Sequence, residues 1–505
     1  MSTLADRVAE HARSQPDAPA LVWEGERISY GELQQMADDA REDLRLERLP
    51  TDRPVGLRAK KSPEALALIL ACLAEGLSFL LPSIELAPET LEKLFAQGGA
   101  SRVLTPRGPR SDSAASLRAI TEVPVDEELP ESDWPPAGPT DDITFMLTTS
   151  GSTGLPKIVP LTAAGVEAFT DWAAEQFEIG PGTNVANYAP LNFDLCLLDI
   201  WTPLSHGGCV VMVDQDRATN GGYLADLITD NDVHVLQAVP MLYRLLIDAQ
   251  GEGGRDFPSV RYAMTTGDKI PQSSLAELPS LFPNGRFFNI YGCTETNDSY
   301  VHEFEGLADG NVPDNVPIGK PITGVTALIL AEDGKPLDGA GTGDLVVHTP
   351  FQTRGYLHAE LNEGKFVAID GDERVFYRGG DIVRRAEDGV VSLEGRSDFY
   401  VKVRGVRVST QVVEEAILSH PEVAEGVVVA VPDDLAGHRL HAIIRLAEGS
   451  TLNSLTLRKH AAERLARTEM PSKFDIVTEP LPKTSTGKVD RKACLAQLQE
   501  THANG

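Results

Sequence analysis

The chain alternates between two spacings of apolar residues, a helical period of three to four residues and short β-branched runs. Helical spacing occurs in three N-terminal segments, at 30–44, 64–74 and 86–96. An extended run follows at 101–104. Because helices that alternate with short strands cover parallel sheets, this pattern predicts an α/β fold. The polar, Pro-rich stretch from Arg107 to Pro139 is predicted to be a surface connection within that fold.

A second pattern begins near Asp398 and indicates a separate domain. Extended and helical runs follow one another here, at 400–408, 412–419, 425–431, 440–446 and 455–465. Residues Asp398 to Gly505 include 14 basic and 14 acidic side chains, whereas the preceding 397 residues include 31 basic and 61 acidic ones. We therefore predict a large N-terminal domain over 1–397, built of α/β subdomains with an adjoining β-rich part. A small, mobile α+β domain is predicted over 398–505.

The net charge of −30 restricts the partners of the chain. It opposes attraction to nucleic acid and to anionic membranes, so we exclude both as primary partners. The most apolar stretch, at 65–74, is too short to span a bilayer of about 30 Å. Five scattered cysteines lack the paired spacing of zinc sites or disulfide frameworks, and the N-terminus lacks the pattern of a secretory signal. We therefore expect a cytoplasmic protein with reduced thiols.

The most informative motif is a loop rich in glycine and hydroxyl side chains, Thr148-Thr149-Ser150-Gly151-Ser152-Thr153-Gly154-Leu155-Pro156-Lys157. Its small residues let backbone N–H groups converge on an anion, its hydroxyls add donors, and Lys157 adds a positive charge. The loop therefore suits a polyphosphate. It differs from a Walker loop, in which Gly-Lys is followed by Ser or Thr. Taken alone, the same residues are also typical of a flexible Ser/Gly turn.

Further motifs accompany this loop along the chain. They are Asn289-Ile290-Tyr291-Gly292-Cys293-Thr294-Glu295-Thr296, Gly343-Asp344-Leu345, Arg354-Gly355-Tyr356, Tyr377-Arg378-Gly379-Gly380-Asp381, Gly395-Arg396-Ser397-Asp398, Lys402-Val403-Arg404-Gly405 and Pro482-Lys483-Thr484-Ser485-Thr486-Gly487-Lys488-Val489-Asp490-Arg491. With these motifs in this order, the chain resembles, over essentially its full length, the adenylate-forming superfamily. That family includes acyl-CoA synthetases, luciferases and the adenylation domains of nonribosomal peptide synthetases. The chain is most similar to a stand-alone adenylation domain, although Gly379 and Cys293 replace a usual Thr and Pro.

The resemblance implies an enzyme that joins two anions. A substrate carboxylate attacks the α-phosphorus of ATP, which gives an acyl adenylate and pyrophosphate, and the acyl group then passes to a thiol. Catalysis therefore depends on positioning and on neutralising charge. Lys488 matches the lysine that bridges the substrate carboxylate and the α-phosphate. Glu295 matches the residue that binds Mg²⁺, a cation that prefers carboxylate oxygen, and Thr294 matches one that touches the α-phosphate.

Other ATP-binding positions follow from the same resemblance. Asp381 matches an acidic residue that accepts hydrogen bonds from both ribose hydroxyls. Arg396 matches a residue that contacts the ribose or a phosphate, and Tyr291 matches a residue that flanks the adenine ring. The phosphate loop supplies Thr149, Ser150, Gly151, Ser152, Thr153, Gly154 and Lys157, and the ATP site also includes Gly267, Asp268, Asn289 and Gly292. Asp398 stands where the family has a hinge. The resemblance implies a rotation of the small domain at this hinge. One face of the small domain, which carries Lys488, would be used for adenylation, and the other face, near Lys402 and Gly405, would be used for thioester formation.

Asp194 is the residue that distinguishes substrate classes. In family members that activate amino acids, an aspartate in a Phe-Asp motif pairs with the substrate α-ammonium, and Phe193-Asp194 occupies that place. A buried carboxylate needs such a partner, although backbone N–H groups at a helix start are the alternative. The remaining predicted pocket residues are Leu195, Leu198, Gln237, Met264, Thr266, Ile290, Asp298 and Ser299. If Asp298 faces the pocket, it suits a hydroxyl or a second amino group, including a β-amino group; if not, proline or a small neutral amino acid fits.

The acceptor of the acyl group is expected to be another molecule, because no phosphopantetheine-bearing serine region follows Lys488. We therefore expect ATP- and Mg²⁺-dependent activation of an amino acid and its transfer to a separate phosphopantetheine carrier protein, in nonribosomal or antibiotic biosynthesis. The main alternative is an acyl- or aryl-CoA synthetase that uses coenzyme A. Direct transfer of the adenylate to an amine and a non-enzymatic nucleotide-binding relic are further alternatives; intact Lys488, Glu295 and Asp381 argue against the relic.

Overall fold

The computed structural model describes residues 4–49, 52–107, 117–125, 143–149, 155–250, 254–313, 315–403, 406–433, 437–447, 449–465, 467, 469–483 and 489–503. The chain forms two compact units. The large unit comprises Met1–Leu328, Val346–Arg378 and Ala386–Ser392, and the small unit comprises Ile329–Leu345, Gly379–Arg385 and Leu393–Gly505. This arrangement confirms the predicted mixed α/β class with a large and a smaller domain.

The helices are α1 (Leu4–Ser14), α2 (Tyr30–Leu46), α3 (Pro63–Ala74), α4 (Pro88–Gln97), α5 (Ala163–Gln176), α6 (Thr202–His206), α7 (Gly221–Asp230), α8 (Pro240–Ala249), α9 (Gln272–Leu281), α10 (Thr410–Leu418), α11 (Ser454–Ala462) and α12 (Arg491–Ala503). The first nine belong to the large unit. A π-helix, Leu197–Trp201, directly precedes α6. Among the described residues, none of the helices combines the length and apolar character needed to cross a bilayer.

The strands are β1 (Pro19–Trp23), β2 (Glu26–Ser29), β3 (Val55–Leu57), β4 (Phe79–Leu80), β5 (Arg102–Pro106), β6 (Leu117–Glu122), β7 (Ile143–Thr149), β8 (Lys157–Thr162), β9 (Asn184–Asn187), β10 (Cys209–Met212), β11 (Val235–Ala238), β12 (Tyr262–Thr266), β13 (Arg286–Cys293), β14 (Asn297–Phe304), β15 (Pro317–Pro321), β16 (Thr326–Leu330), β17 (Gly341–His348), β18 (Phe366–Ala368), β19 (Val375–Arg385), β20 (Val391–Arg396), β21 (Tyr400–Val403), β22 (Val406–Ser409), β23 (Val423–Asp433), β24 (Gly437–Leu446) and β25 (Lys473–Val477).

The main sheet of the large unit contains parallel strands in the order β13-β12-β11-β9-β10-β1. Antiparallel strands flank it, β2 at one end and β14 then β15 at the other. Its two faces are covered by separate apolar clusters: Val185 and Val235 belong to one, and Ala186 and Leu236 to the other. Because neighbouring residues of a strand point to opposite faces, these strands are apolar on both sides, as expected of a parallel sheet covered by helices.

A second sheet of the large unit has the order β6-β5-β3-β4-β7-β8. Strand β6 pairs antiparallel with β5 and lies within the predicted surface connection from Arg107 to Pro139. The six residues of β6 alternate weakly in polarity within a polar surrounding, so the sequence pattern did not indicate a strand. Other parts of that connection, 108–116 and 126–142, lie outside the described residues.

The small unit contains its own sheet, in the order β22-β21-β24-β23 with β25 beside β24. Helices α10 and α11 contribute Val413 and Leu457 to a core with Leu440 and Ile444 of β24. The predicted helix 412–419 corresponds to α10, whose N-cap, Ser409, accepts a hydrogen bond from the Val412 amide at 3.4 Å. This sheet and its helices form a core of their own.

Candidate active site

The predicted pocket residues of β11, β12 and β13 lie on one face of the main sheet. Gln237 pairs in register with Met264, and Thr266 pairs with Ile290. All four are at most 5% exposed. Ligands of open α/β sheets bind at the carboxyl ends of the parallel strands, where these residues are found. The Oε1 atom of Gln237 is buried and lacks a hydrogen bond partner, so this end of the pocket offers an acceptor.

A turn before the π-helix brings the other predicted pocket residues to the same face. The Leu197 amide donates to the carbonyl of Asp194 at 2.8 Å, and the Asp199 amide donates to the carbonyl of Leu195 at 3.2 Å. Leu198 belongs to the apolar cluster that contains Met264 and Ile290, and Leu195 packs against that cluster. The turn thus places Asp194 beside the sheet face.

Three carboxylates act on one another in this pocket. Burial raises the pKa of Asp194 to about 6; a hydrogen bond with Thr294 opposes this rise, and the charge of Glu295 adds to it. The pKa of Asp298 is raised to about 8 by burial and by the charge of Asp194. Its Oδ2 atom is buried and has no hydrogen bond partner. Acids whose charge raises the pKa of a neighbour, as Glu295 does for Asp194 and Asp194 does for Asp298, form a site that a cation stabilises.

The connection between β13 and β14 holds Thr294 and Glu295 in a fixed turn. A Cβ atom on Gly292 would lie 2.2 Å from the carbonyl oxygen of Asn297, so only glycine fits there. Asn297 has a left-handed φ of 51°, and its amide donates to the Phe351 carbonyl at 3.1 Å. The Thr353 amide donates to the Glu295 carbonyl at 2.9 Å. These contacts therefore hold the backbone of the turn that carries Glu295.

Two tyrosines support the Glu295 carboxylate. The Tyr356 hydroxyl donates to Glu295 Oε1 at 2.5 Å and lies 3.2 Å from the Tyr377 hydroxyl. Burial and the charge of Glu295 raise the pKa of Tyr356, which keeps the hydroxyl protonated as a donor. The Nζ atom of Lys157 lies 4.4 Å from the centre of the Tyr356 ring. This ring therefore links the predicted phosphate-binding lysine to the predicted magnesium ligand.

Neither tyrosine was predicted to be functional from the sequence. Tyr356 and Tyr377 stood in recognised motifs, Arg354-Gly355-Tyr356 and Tyr377-Arg378, but neither motif states which carboxylate its tyrosine contacts. The sequence offered one indication of their role: both tyrosines belong to motifs that follow the Glu295 motif along the chain.

The environment of Glu295 fits magnesium. The carboxylate is 6% exposed and receives one hydrogen bond on Oε1. Across the described residues, no group of three or more His, Cys, Asp and Glu side chains forms a metal cage. Magnesium is commonly bound by one or two carboxylates with substrate phosphates and water, so a single well-placed acid is an adequate protein contribution.

Several other predicted residues make contacts inside the large unit. Asn289 donates its amide to the Pro317 carbonyl at 2.7 Å, and Tyr291 packs edge-on against Tyr300 with ring centres 6.0 Å apart. Ser299 donates to Thr296 Oγ1 at 3.1 Å and is fully buried, so its hydroxyl is engaged within the turn. Gly267 and Asp268 form the exposed turn after β12, where Gly267 has a φ of 77°. None of these contacts involves ATP, so the ATP-binding roles of Asn289, Tyr291, Gly267 and Asp268 and the substrate-binding role of Ser299 stay predictions.

The phosphate loop connects two paired strands. Thr149 at the end of β7 is opposite Lys157 at the start of β8 in the antiparallel register. The loop residues Ser150 to Gly154 lie outside the described residues, as does Lys488. The ends of the loop are thus set by a strand pair, which brings Thr149 and Lys157 together.

In the small unit, the two predicted ribose-binding residues contact each other. Arg396 Nη1 lies 2.9 Å from Asp381 Oδ1, and Arg396 Nη2 donates to the Gly379 carbonyl at 2.9 Å. The Asp381 side chain is 13% exposed. A guanidinium in this position orients the Asp381 carboxylate through a charge-assisted hydrogen bond.

Known protein families match most of the chain. The model of the AMP-binding enzyme family matches residues 8–357, and the model of the AMP-binding enzyme C-terminal domain matches residues 412–488. An L-proline–L-prolyl-carrier protein ligase of Pseudomonas fluorescens is 30% identical, with 99% of this chain and 100% of that protein covered. A D-alanine–D-alanyl carrier protein ligase of Bacillus licheniformis is 27% identical, with 97% and 98% covered.

Among solved structures, an o-succinylbenzoate–coenzyme A synthetase of Bacillus subtilis bound to its acyl-adenylate intermediate has the same fold. Its TM-score is 0.80 at 20% identity, with 96% of this chain and 97% of that chain covered. The match of the family model over 8–357, together with the full-length similarity to ligases, decides the assignment. The chain belongs to the AMP-binding enzyme family.

Proposed function

We propose that this protein is an amino acid–carrier protein ligase. It activates an amino acid with ATP as the aminoacyl adenylate and transfers the aminoacyl group to the phosphopantetheine thiol of a separate carrier protein. The observation that supports this proposal is Asp194, an acidic side chain whose pKa is raised by burial and by the charge of Glu295, and whose own charge raises the pKa of Asp298. A substrate ammonium supplies the cation that stabilises such a site. The carrier protein ligases among the relatives support the same reading.

The first step forms one bond and breaks another at the α-phosphorus. A carboxylate oxygen of the amino acid bonds to phosphorus, and the bond to the pyrophosphate oxygen breaks. Asp194 holds the ammonium, so the carboxylate is directed to the phosphate. Lys157 and Lys488 neutralise phosphate charge, and Tyr356 holds Glu295 toward the ATP site. When bound by Glu295, Mg²⁺ would supply charge neutralisation for the phosphates.

The second step passes the acyl group to the thiol and releases AMP. We propose that the small unit changes its orientation at Asp398 between the two steps and that Lys402 and Gly405 serve the thioester step. Asp381 and Arg396 hold the ribose in this scheme, with the Arg396 contact orienting the carboxylate. We further propose that this activity serves nonribosomal natural-product biosynthesis in the cytoplasm.

The side chain of the substrate is proposed to carry a hydrogen-bond donor. Asp298 Oδ2 and Gln237 Oε1 are both buried acceptors without partners. The electrostatic effect of Asp194 on Asp298 supports an Asp298 side chain directed into the pocket. A second amino group, including a β-amino group, or a hydroxyl satisfies these acceptors, whereas the plain ring of proline offers no such donor.

The test is amino-acid-dependent exchange between ATP and pyrophosphate. A panel of proteinogenic, β-amino and diamino acids is compared with aryl and fatty acids, for wild type and for Asp194→Asn. We expect exchange with one amino acid, and an increase in its KM on the order of 100-fold in D194N, because one partner of a buried charge pair is lost. The des-amino analogue should change by no more than about threefold.

The matched control is Asp171→Asn. It removes the charge of an aspartate on α5 that forms a surface ion pair with Arg7 of α1. This variant should exchange like wild type. Exchange only with acids that lack an amine would overturn the proposal and favour a coenzyme A ligase. Loading of a phosphopantetheinylated carrier protein rather than coenzyme A, measured with the radiolabelled amino acid, tests the acceptor.

A further inference from the structure

A buried polar cluster lies behind the turn that carries Asp194. It consists of Lys61, Asn187 and Asp199, each at most 4% exposed. The three residues come from separate segments: Lys61 precedes α3, Asn187 ends β9, and Asp199 belongs to the π-helix. None of the three was predicted to be functional from the sequence.

Asn187 connects the two charged members of the cluster. The Lys61 ammonium donates to the Asn187 carbonyl at 3.1 Å and lies 3.4 Å from the Tyr188 carbonyl. The Asn187 side-chain amide donates to Asp199 Oδ1 at 2.9 Å. Burial raises the pKa of Asp199, and the Lys61 charge opposes that rise; burial likewise lowers the pKa of Lys61. Each charge therefore depends on the other through Asn187.

Lys61 and Asp199 are two buried charges that Asn187 bridges, and such an arrangement adds little to stability, because both ions lose their hydration. Its geometry is nevertheless demanding, since removing one partner leaves the other charge uncompensated. A buried pair is therefore better suited to fixing the position of the segments it joins than to strengthening the fold.

The segment that Asp199 fixes is the one that carries Asp194. The Asp199 amide donates to the Leu195 carbonyl at 3.2 Å, and the Leu197 amide donates to the Asp194 carbonyl at 2.8 Å. A displacement of Asp199 therefore displaces the Asp194 turn. π-Helical turns are frequent at functional sites, where they set the direction of a side chain.

The other end of the cluster adjoins the sheet wall of the pocket. Asn187 on β9 is the register partner of Gln237 on β11. Their side chains share a face of the sheet, about 4.8 Å apart along the hydrogen-bonding direction. The cluster thus contacts both sides of the substrate pocket, the turn and the sheet.

We propose that Lys61, Asn187 and Asp199 are positioning residues that hold the Asp194 turn against the sheet and thereby set the affinity for the substrate ammonium. This inference rests on the proposed function, in which Asp194 binds that ammonium. The cluster touches neither substrate nor ATP in this scheme, so it acts on KM for the amino acid and leaves KM for ATP unchanged.

The experiment compares Asp199→Asn, Lys61→Met and the double variant in pyrophosphate exchange. D199N should raise KM for the amino acid about tenfold, since a small misplacement of a binding group is costly, with KM for ATP within about twofold. K61M should raise KM for the amino acid more than D199N does, because it leaves the Asp199 carboxylate without a cation. The double variant should be less impaired than the two single effects combined, because no uncompensated charge remains.

The matched control is Glu75→Gln, which removes a carboxylate paired with Arg41 at the other end of α3. It should leave KM for both substrates unchanged. Thermal unfolding is followed for every variant, and if D199N is insoluble, the double variant provides the same KM comparison.

Equal increases in KM for the amino acid, its des-amino analogue and ATP would overturn the positioning role, because a general loss of structure has that signature. Additive effects of the two single variants would also overturn it. The proposed function fails separately, when wild-type protein shows no exchange with any amino acid. Wild-type exchange that is sensitive to D194N and insensitive to D199N contradicts this inference alone.

Discussion

At the scale of single residues, the carboxylates of the pocket make the clearest argument. Asp298 has a buried, unpartnered Oδ2 atom, and its pKa is raised to about 8 by desolvation and the charge of Asp194. The usual pKa of an aspartate is about 3.9. Between these values the folded protein binds a proton that the unfolded chain does not, so the free energy of unfolding falls as pH rises through this window.

Replacement of Asp298 by Asn should therefore flatten the pH dependence of stability. We expect the Tm of wild type to fall by a few degrees more than the Tm of D298N between pH 6 and pH 9, because the variant has no proton to release at this position. Thermal unfolding without ligands measures both profiles. Since other titrating groups are common to the two proteins, their difference isolates Asp298. Parallel profiles would show that Asp298 is solvated in the folded state.

The order of motifs in the sequence predicted which residue types belong to this pocket, including Asp194 and Glu295. It left open where Asp298 points, because that depends on an irregularity in the β13–β14 register between Tyr291 and Gly292. Such a bulge shifts every later side chain to the other face, and a period of two in the sequence does not reveal it. The Lys61–Asn187–Asp199 cluster was equally hidden, since its members are far apart in the chain and each is unremarkable alone.

At the scale of secondary-structure elements, the start of a helix can be recognised from capping residues in the sequence. Helix α2 begins after Ser29, whose side chain and that of Glu32 form a capping box. Strand β6 lacked such a signal and was revealed only by its pairing with β5. The turn from Gly292 to Asn297 is the element whose geometry matters most, because it carries Thr294 and Glu295.

A single methyl group should disrupt that turn. In Gly292→Ala, the new Cβ would lie 2.2 Å from the Asn297 carbonyl oxygen and 2.8 Å from the Asp298 Cα atom, and these backbone atoms leave it no room. We expect a loss of exchange activity on the order of 100-fold, because Glu295 is displaced from the phosphates, together with a lower Tm. Gly222→Ala at the start of α7 is the control, since its Cβ would lie 3.4 Å from the nearest atom, Asn220 Oδ1. Wild-type activity in G292A would show that the turn is tolerant.

At the scale of the whole molecule, charge and catalysis are divided between the two parts of the chain. The residues before Asp398 carry the entire net charge of −30, while the remainder is neutral. From Arg458 to Lys492 there are nine basic and five acidic residues. A neutral part with a basic segment does not repel an acidic carrier protein as the rest of the chain would. The proposed catalytic lysine, Lys488, lies in this segment.

Lys488→Ala should separate the two half-reactions. If Lys488 bridges the substrate carboxylate and the α-phosphate only during adenylation, its loss lowers pyrophosphate exchange by about 100-fold or more. Transfer from a supplied aminoacyl adenylate to the carrier protein should stay within about threefold of wild type, because that step uses other residues. Lys492→Ala, an exposed lysine nearby on α12, is the matched control and should leave both steps unchanged. Equal losses in both steps would mean that one arrangement of the small unit serves the whole reaction, and the proposed reorientation at Asp398 would then be wrong.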